Sequence, residues 1–412
     1  MKLAGWGRYP KAECTLHAHR GEGEMRAALA NGPAIARGNG RSYGDSALNH
    51  EATLSTSRLN RMLAFDAQTG VLTAEAGVIL GDVIAAFLPR GWFPSVTPGT
   101  KFVTIGGAIA ADVHGKNHHI DGGFGNFTDW VDLMGEDGEV VRASREENPE
   151  LFQWTVGGMG LTGVILRAAI RLRRVETGWI RQETIAAPNL AAAMDAFEEN
   201  ADAPYSVAWI DTLATGTDLG RSLVMLGRHA ELESLPTRFR AQPFARPAKS
   251  LLTMPFNAPG FALNRYTVRA FNSLYYRMGT AKRGLSYQAW DPYFYPLDSI
   301  LKWNRIYGRR GFVQFQCVLP DDSARPGLEA LLTTIAEAGS SSFLSVLKKM
   351  GPESGGLSFP MPGYTLALDF PVSDKVLALM ERLDAITLDH GGRFYLAKDA
   401  RMRAETFHAA DK

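Results

Sequence analysis

The pattern of apolar and polar residues changes near residue 174. Before that point, short strand-like and helix-like segments are separated by glycine-rich loops. The predicted elements there are a strand at 71–76, a helix at 82–88, the two strands of a hairpin at 130–134 and 139–143, and a half-buried strand at 164–172. Asn148, which precedes Pro149, is expected to cap a further helix.

Beyond residue 174 the apolar stretches become longer and are separated by amphipathic helices. The predicted strands cover 205–211, 222–227, 312–319, 343–347 and 364–370, and the predicted helices cover 326–338 and 375–388. Strands with a few helices on one side predict an α+β domain. A final strand and helix, at 393–412, are expected to return to the first domain. We therefore predict an α+β protein with a first domain of 1–174 plus 393–412 and a second domain of 175–392.

Composition excludes several classes of protein. The chain has 412 residues, 45% of them hydrophobic and 21% charged, as in ordinary globular proteins rather than disordered or fibrous ones. The formal net charge is +1, so no basic excess indicates nucleic-acid binding. The N-terminus lacks the apolar core of a secretory signal, and no run is long enough for a transmembrane helix. We expect a protein that is cytoplasmic or peripheral at a membrane surface, with Cys14 and Cys317 as reduced thiols.

Three glycine-rich segments are the main chemical signals. They are RGNGRSYGD at 37–45, PGTKFVTIGGAIAADVHGKNHH at 98–119, and GGMGLTG at 157–163. Glycines let successive backbone N–H groups point at one anion, so three such loops favour a large cofactor that bears phosphates. Each loop taken alone is also compatible with an ordinary surface turn. The spacing fits neither a Rossmann nor a Walker motif.

His114, His118 and His119 lie within six residues of one another. No carboxylate or cysteine lies at metal-ligand spacing, so no metal site is predicted. Hydrogen-bonded structural histidines are the simple interpretation of His118 and His119.

These motifs resemble the FAD-binding (PCMH-type) domain of the vanillyl-alcohol-oxidase superfamily. Within it, they are most similar to the decaprenylphosphoryl-β-D-ribose 2′-oxidase family, and the likeness extends through 311–320, 342–351, 357–372 and 393–409. The resemblance implies an FAD-binding domain and an antiparallel-sheet substrate domain that covers the flavin. The cofactor-binding residues that it implies are Arg37, Gly38, Asn39, Gly40, Arg41, Ser42, Tyr43, Gly44, Gly99, Thr100, Thr104, Ile105, Gly106, Gly107, Ala111, Asp112, Val113, His114, Gly160, Thr162, Ile165, Tyr395 and Ala397.

The chain departs from the resembled families at several positions. Arg41 stands where many relatives carry the histidine that tethers FAD, which implies non-covalent FAD. The stretch Tyr395–Leu396–Ala397–Lys398 keeps the lysine of the lactone and alditol oxidases but not their His-Trp pair. Ala367 replaces a reactive cysteine, and Thr365 and Met159 replace asparagines.

The same resemblance assigns catalytic roles to two residues. Lys398 is expected to stabilise charge and bind substrate, and His114 to lie beside the flavin ring as a possible proton acceptor. The expected substrate-binding residues are Lys116, Trp209, Gln314, Gln316, Lys348, Thr365 and Asp369. Alternation independently places Gln314 and Gln316 on one side of their strand, and Thr365, Ala367 and Asp369 on one side of theirs. A solvated strand face would show the same pattern.

Residues 234–290 contain no Asp or Glu. Nine Lys/Arg residues lie there among many aromatic residues: Arg238, Arg240, Arg246, Lys249, Arg265, Arg269, Arg277, Lys282 and Arg283. A basic and aromatic surface suits an anionic membrane. A mobile insert whose charges only solubilise it is the alternative.

The resemblance implies FAD-dependent oxidation of a secondary alcohol to a ketone. The expected substrate is the 2′-hydroxyl of a polyprenyl-phosphoryl-β-D-ribose, as the first half of epimerisation to the arabinose donor of a cell-wall arabinan. A separate NAD(P)-dependent reductase would complete the epimerisation. The alternatives are a soluble alditol or sugar oxidase, and a flavin-bearing lipid-carrier binding protein without turnover.

Overall fold

A computed structural model describes residues 1–244, 252–259, 263–340, 342 and 344–410. Arg246, Lys249, Phe343 and the aromatic Phe261 lie outside these residues. The strands of the described part are β1 (Lys2–Ala4), β2 (Lys11–Glu13), β3 (Leu16–Ala18), β4 (Ala34–Arg37), β5 (Ala52–Ser55), β6 (Met62–Phe65), β7 (Val71–Glu75), β8 (Trp92–Pro94), β9 (Thr128–Met134), β10 (Val140–Ser144), β11 (Val164–Arg174), β12 (Trp179–Ala187), β13 (Tyr205–Ile210), β14 (Ser222–His229), β15 (Leu252–Thr253), β16 (Gly284–Ala289), β17 (Ile300–Leu301), β18 (Phe312–Pro320), β19 (Ser345–Met350), β20 (Gly363–Pro371) and β21 (Arg393–Phe394).

The α-helices of the same residues are α1 (Glu22–Leu29), α2 (Leu80–Phe87), α3 (Ile105–Ala110), α4 (His118–Asp121), α5 (Pro149–Thr155), α6 (Leu190–Glu199), α7 (Thr237–Arg240), α8 (Arg265–Ala281), α9 (Trp290–Phe294), α10 (Asp321–Ala338), α11 (Asp374–Asp389) and α12 (Ala404–Ala410). None of these helices is both long and apolar enough to cross a bilayer.

The first domain contains two main sheets and the small antiparallel sheet β1-β2. One is a parallel sheet in the order β3-β5-β4, and the other is antiparallel in the order β10-β9-β11-β7-β6, with β8 paired to β11. The predicted β9–β10 hairpin is confirmed, since Val140 pairs with Met134. Apart from Arg167, the long strand β11 is buried on both faces from Val164 to Ile170, whereas beyond it Leu172 is buried and Arg171 is exposed, so the prediction of a half-buried strand holds only for its end. The pairing of β11 with β9 is irregular at two points. Odd-numbered and even-numbered residues of β11 are therefore both buried in the core.

Asn148 does not cap helix α5 with its side chain, although Pro149 begins that helix as predicted. The Asn148 backbone is left-handed (φ 50°), and its amide donates to the carbonyl of Arg142 at 2.7 Å. The side chain therefore holds the preceding turn instead of the first turn of the helix.

The second domain is built on an eight-stranded sheet in the order β16-β12-β14-β13-β19-β20-β18-β21. Helices α6, α10 and α11 cover one face, where Phe315 and Cys317 of β18 belong to the apolar core. Helix α10 begins at Asp321 rather than at the predicted 326, so Pro326 lies inside it. Asp321 and Asp322 fill its first turn, where acidic residues favour the helix terminus.

The basic segment 234–290 is in part an integral piece of this sheet. Strand β16 pairs with β12 from Trp179 to Thr184, and α8 packs on the sheet through the buried Val268 and Asn272. Before them, the Phe239 ring stacks on the Trp179 ring at 3.9 Å. These residues of the segment therefore pack into the second domain, in contrast to the alternative of a mobile insert.

The C-terminal segment connects both domains. Phe394 and Ala400 belong to the apolar core of the second domain. Between them, the carbonyl of Ala397 accepts from the Tyr43 amide at 2.9 Å, and the Tyr395 hydroxyl donates to the carbonyl of Ala111 at 2.9 Å. The segment is thereby fixed at the place where the first domain faces the sheet of the second.

Candidate active site

A cavity of about 680 Å³ lies between the glycine-rich loops of the first domain and the uncovered face of the second-domain sheet. This volume is in the range of sites for cofactors and small molecules. All three glycine-rich segments contribute to its wall, and strands β13, β18, β19 and β20 form the opposite side. The polar residues of β18 and β20 face the cavity and not solvent, because Gln314 and Gln316 are buried.

The first loop leaves the carboxyl end of β4 and is held open by Arg37. The Arg37 guanidinium donates to the carbonyl of Ala4 at 2.8 Å and to that of Ala47 at 3.4 Å. Gly38 must lack a side chain, since a Cβ there would lie 2.2 Å from the Thr104 hydroxyl oxygen. The loop therefore brings its backbone against the second loop.

Arg41 lies in this loop between two aromatic rings. Its guanidinium is 4.3 Å from the Trp6 ring centroid and 4.9 Å from that of Phe102. Its Nε atom is buried and has no hydrogen-bond partner among the described residues. Burial lowers the pKa of Arg41, and the nearby Asp298 carboxylate acts in the opposite direction. A buried cation with an unused donor is suited to an anionic ligand.

The second loop leads into helix α3. The Thr104 hydroxyl caps this helix by accepting from the Gly107 amide at 3.2 Å. Asp298 of the second domain ties the loop across the cavity, since its carboxylate accepts from the Thr100 hydroxyl at 2.8 Å and from the Lys101 amide at 2.9 Å. The two domains are therefore joined at the cofactor side of the cavity.

His114, at the end of the second loop, lies between two polar side chains of the sheet. Its Nε2 atom is 2.9 Å from Nε2 of Gln316, and its Nδ1 atom is 3.1 Å from Nζ of Lys348. Burial lowers the pKa of His114 well below its usual value, and the positive charges of Lys348 and Lys398 add to this effect. The imidazole is therefore neutral at physiological pH.

Three half-buried lysines share the cavity. Burial lowers the pKa of Lys116 to about 7 and, together with Lys398 and Lys116, that of Lys348 to about 7. Burial also lowers the pKa of Lys398, while the Asp369 carboxylate opposes this, and burial raises the pKa of Asp369. The cavity is thus weakly basic, with amines whose charge depends on what binds there.

The surroundings of the three lysines differ. Lys116 donates to the carbonyl of Tyr293 at 2.6 Å and lies 3.9 Å from the Tyr293 ring centroid. The Lys398 ammonium lies 3.8 Å from the ring centroid of Tyr43. Gln314 donates from its amide to the Asp369 carboxylate, and its own Oε1 is buried without a partner in the described residues. That oxygen is an available acceptor for a hydroxyl group.

All but six of the residues predicted for cofactor, substrate or catalysis line this cavity. The six lie behind its wall: Arg37, Gly44, Ile105, Asp112, Thr162 and Thr365. Asp112 accepts from the Gly125 amide at 2.9 Å and from the Ser358 hydroxyl, and Thr162 is 2.9 Å from the Thr155 hydroxyl. Gly44 packs so closely on Asp399 that a Cβ would lie 1.9 Å from its carbonyl oxygen. These residues hold the loops in place.

Sequence reasoning missed wall residues that are distant along the chain from any motif. Trp6, Met225, Phe271, Tyr275 and Asp298 are among them. Phe271 and Tyr275 are aromatic residues of the basic segment, whose sequence predicts no place for them in the cavity. Nothing local marks Trp6 or Asp298, because their contacts with the loops of the first domain, such as those of Asp298 with Thr100 and Lys101, join segments that are distant along the chain.

The cavity fits FAD on the chemistry of its residues. The glycine-rich loops supply backbone donors, Arg41 supplies an unused buried guanidinium donor, and the small residues Gly106, Gly107 and Ala111 leave room for a flat ring system beside His114. The donors and the flat space lie along one continuous wall, as a dinucleotide requires.

Comparison with known proteins agrees with this geometry. Residues 23–144 match the model of the FAD binding domain family. The chain is 38% identical to decaprenylphosphoryl-β-D-ribose oxidase of Mycolicibacterium smegmatis, over 99% of this chain and 91% of that protein. It is 33% identical to an uncharacterized protein from the mprA 5′ region of Streptomyces coelicolor, over 78% of this chain and 89% of that protein. L-gulonolactone oxidase of Mus musculus is 30% identical over 36% of this chain and 35% of its own length.

Proposed function

The chain belongs to the decaprenylphosphoryl-β-D-ribose oxidase family of FAD-dependent oxidoreductases, and from that premise we propose that it oxidises the 2′-hydroxyl of a polyprenyl-phosphoryl-β-D-ribose to a ketone. The observation that carries the proposal is the meeting of Lys398, His114 and Gln316 where the glycine-lined part of the cavity reaches the polar face of the sheet. A sugar bound there lies between a flavin site and hydrogen-bonding side chains.

FAD, when bound, accepts the hydride equivalent that leaves the alcohol carbon. The glycine-rich loops and Arg41 would hold it without a covalent bond, since an arginine cannot form the link that a histidine forms in relatives. His114 and Tyr395 lie with ring centroids 5.3 Å apart at the inner end of the cavity. They would define the space for the flavin ring and exclude water from it.

Lys398 and Gln314 would orient the reacting hydroxyl. The Lys398 ammonium is the cation nearest to the Tyr43 ring in the wall, and it would stabilise the negative charge that develops on the hydroxyl oxygen or the reduced cofactor. The partnerless Oε1 of Gln314 would accept from a sugar hydroxyl. Both ring nitrogens of His114 already have neighbours within hydrogen-bond distance, so its primary role is to position these groups.

Lys116 and Lys348 would bind the phosphate of the substrate. Each is half-buried, and each has a pKa of about 7 because desolvation disfavours the charged amine. A bound phosphate reverses this balance, since a neighbouring anion favours the ammonium form. The site would therefore gain its full positive charge only when the anionic substrate arrives.

Two partners follow from this reaction. The ketone product must be reduced from the other face to give the arabinose configuration, which calls for a separate NAD(P)-dependent reductase. A lipid-phosphate substrate also calls for contact with a membrane, which the exposed Arg265, Arg269 and Arg277 of helix α8 would supply at an anionic surface.

The decisive experiment is anaerobic reduction of the protein-bound flavin. Polyprenyl-phosphoryl-β-D-ribose should bleach the flavin absorbance, and free pentitols should not. Bleaching by pentitols would assign the protein to the soluble alditol oxidases. If the protein binds the lipid phosphate and its flavin does not bleach, the protein is a carrier-binding protein without turnover.

A further inference from the structure

The cavity extends to helix α8 of the second domain. Trp209 and Met225, from strands β13 and β14, line its outer part together with Phe271 and Tyr275 of the helix. The Tyr275 ring contacts the Trp209 ring at a centroid distance of 4.8 Å, and the Phe271 ring stacks on Tyr275 at 5.7 Å. The apolar wall of the cavity therefore continues onto the helix surface.

Helix α8 carries an exposed apolar stripe on that surface. We define the stripe as Phe271, Leu274, Tyr275 and Met278, whose i, i+3, i+4, i+7 spacing places them on one side of the helix. Their side chains are 43%, 59%, 39% and 51% exposed. The stripe thus begins in the cavity wall and ends in solvent.

The side of the helix next to the stripe is fixed to the sheet. The Asn272 amide donates to the buried carboxylate of Asp211 at 2.7 Å, and the Tyr276 hydroxyl donates to the carbonyl of Ala187 at 3.2 Å. The side chain of Leu223 fills the space beside Gly279. Because these contacts determine how the helix is rotated, the stripe cannot turn inward to bury itself.

Exposed apolar groups are concentrated in this part of the protein. Of the fifteen large apolar side chains that are exposed in the described residues, eight lie between residues 252 and 285. Scattered exposed apolar residues are ordinary, but a contiguous set that continues a cavity indicates a binding surface.

We propose that the stripe is the path along which the isoprenoid chain of the substrate leaves the cavity. The proposal rests on the function proposed above. The reacting sugar must lie near Lys398 and the phosphate near Lys116 or Lys348, so the chain attached to the phosphate must continue outward. A cavity of about 680 Å³ that also holds FAD cannot enclose a chain of many isoprene units. The stripe is the apolar surface that begins where such a chain would emerge.

The test compares two lengths of the same substrate. The holoenzyme and the double variant Leu274→Gln/Met278→Gln are assayed by anaerobic flavin reduction with a ten-isoprene and a two-isoprene phosphoryl ribose, in detergent without a bilayer. The ratio of kcat/KM for the long substrate to that for the short one should fall about tenfold, since each side chain loses apolar contact with the long chain only. Leu63→Gln, which changes a 43% exposed leucine of the first domain, is the matched control and should leave the ratio unchanged.

The outcomes separate this proposal from the function on which it rests. An unchanged ratio, or an equal loss with both substrates, would overturn the path along the stripe while the proposed function stands. Failure of the unaltered protein to oxidise either substrate would overturn the proposed function itself. As a second measurement, a photoreactive group within the first isoprene units after the phosphate should label a peptide that contains residues 271–278. Labels found only elsewhere would contradict the path.

Discussion

Nε2 of Gln316 lies 2.9 Å from Nε2 of His114, and the same amide nitrogen lies 3.2 Å from the hydroxyl oxygen of Thr365. The Thr365 hydroxyl donates to the carbonyl of Cys317 at 2.8 Å, so its oxygen is available to accept from Gln316. An amide nitrogen that donates to His114 leaves the proton of the neutral imidazole on Nδ1, which faces the Lys348 amine. A buried threonine thus sets the tautomer of a histidine that it does not touch.

Thr365→Val should therefore change the protonation of the cavity and leave its shape intact. Without the hydroxyl, the Gln316 amide can turn its oxygen to His114, which moves the imidazole proton to Nε2. Nδ1 then accepts from Lys348, and this hydrogen bond should raise the pKa of Lys348 above about 7.

Nitrogen NMR of His114 and the pH dependence of Lys348 acylation, read by mass spectrometry, check both effects. Thr365→Ser, which keeps the hydroxyl, should behave like the unaltered protein, and a valine variant with an unmoved Lys348 pKa would refute the relay.

The alternation of polar and apolar residues predicted which side chains face the cavity, but not which residues of different strands lie beside one another. Alternation placed Gln314 and Gln316 on the cavity side of β18 and Cys317 on the core side, because a strand has a strict period of two. It could not show that Lys348 pairs with Thr365, since strand register between β19 and β20 depends on long-range pairing. The positions of Asp298 and Trp6 in the cavity wall also depend on contacts between distant segments. Their contacts arise from the packing of the domains, for which neither residue carries a local signal.

FAD should leave the protein intact on denaturation. Arg41 occupies the position of the tethering histidine, and a guanidinium packed between Trp6 and Phe102 forms no covalent link to a flavin. Precipitation with acid should leave the yellow chromophore in the supernatant, where mass spectrometry should find unmodified FAD. Yellow colour that remains with the pellet would contradict the prediction.

Lys398→Met should retain FAD but lose turnover. The methionine preserves much of the volume beside Tyr43 and removes the charge to which we assign stabilisation of the reacting hydroxyl. Loss of one positioned electrostatic group typically lowers the rate by about 10²–10³-fold. Stopped-flow flavin reduction measures the effect, with flavin content and melting temperature as controls for folding. A variant that reduces its flavin at a near-normal rate would remove Lys398 from the mechanism.

Ala367→Cys should introduce a reactive thiol where the native chain has none. Ala367 lines the cavity, whereas Cys317 is fully buried on the core side of its strand and burial raises its pKa to about 12. The native protein should resist electrophiles that form a covalent adduct with the family's cysteine, and the variant should be modified stoichiometrically. Peptide mapping distinguishes the sites. An adduct on Cys317 of the native protein would show that the core of β18 opens to solvent.

Helix α8 should attract the protein to anionic membranes mainly through charge. Arg265, Arg269 and Arg277 are exposed on the helix, and each basic residue close to an anionic surface contributes about 1 kcal/mol. The exposed Tyr266, which the helical period places on the same side of α8 as these arginines, can then enter the interface and anchor the protein there. Binding to vesicles that contain an anionic lipid should weaken with salt, because salt screens exposed charges.

The triple change of the three arginines to Glu should abolish sedimentation with such vesicles, while flavin reduction by the two-isoprene substrate persists. Three matched reversals at the exposed Arg58, Arg90 and Arg382, which lie outside the segment, should leave vesicle binding intact. If both triple variants lose binding equally, net charge and not helix α8 directs the protein to membranes, and a native protein that ignores anionic vesicles at low salt would exclude membrane contact through charge.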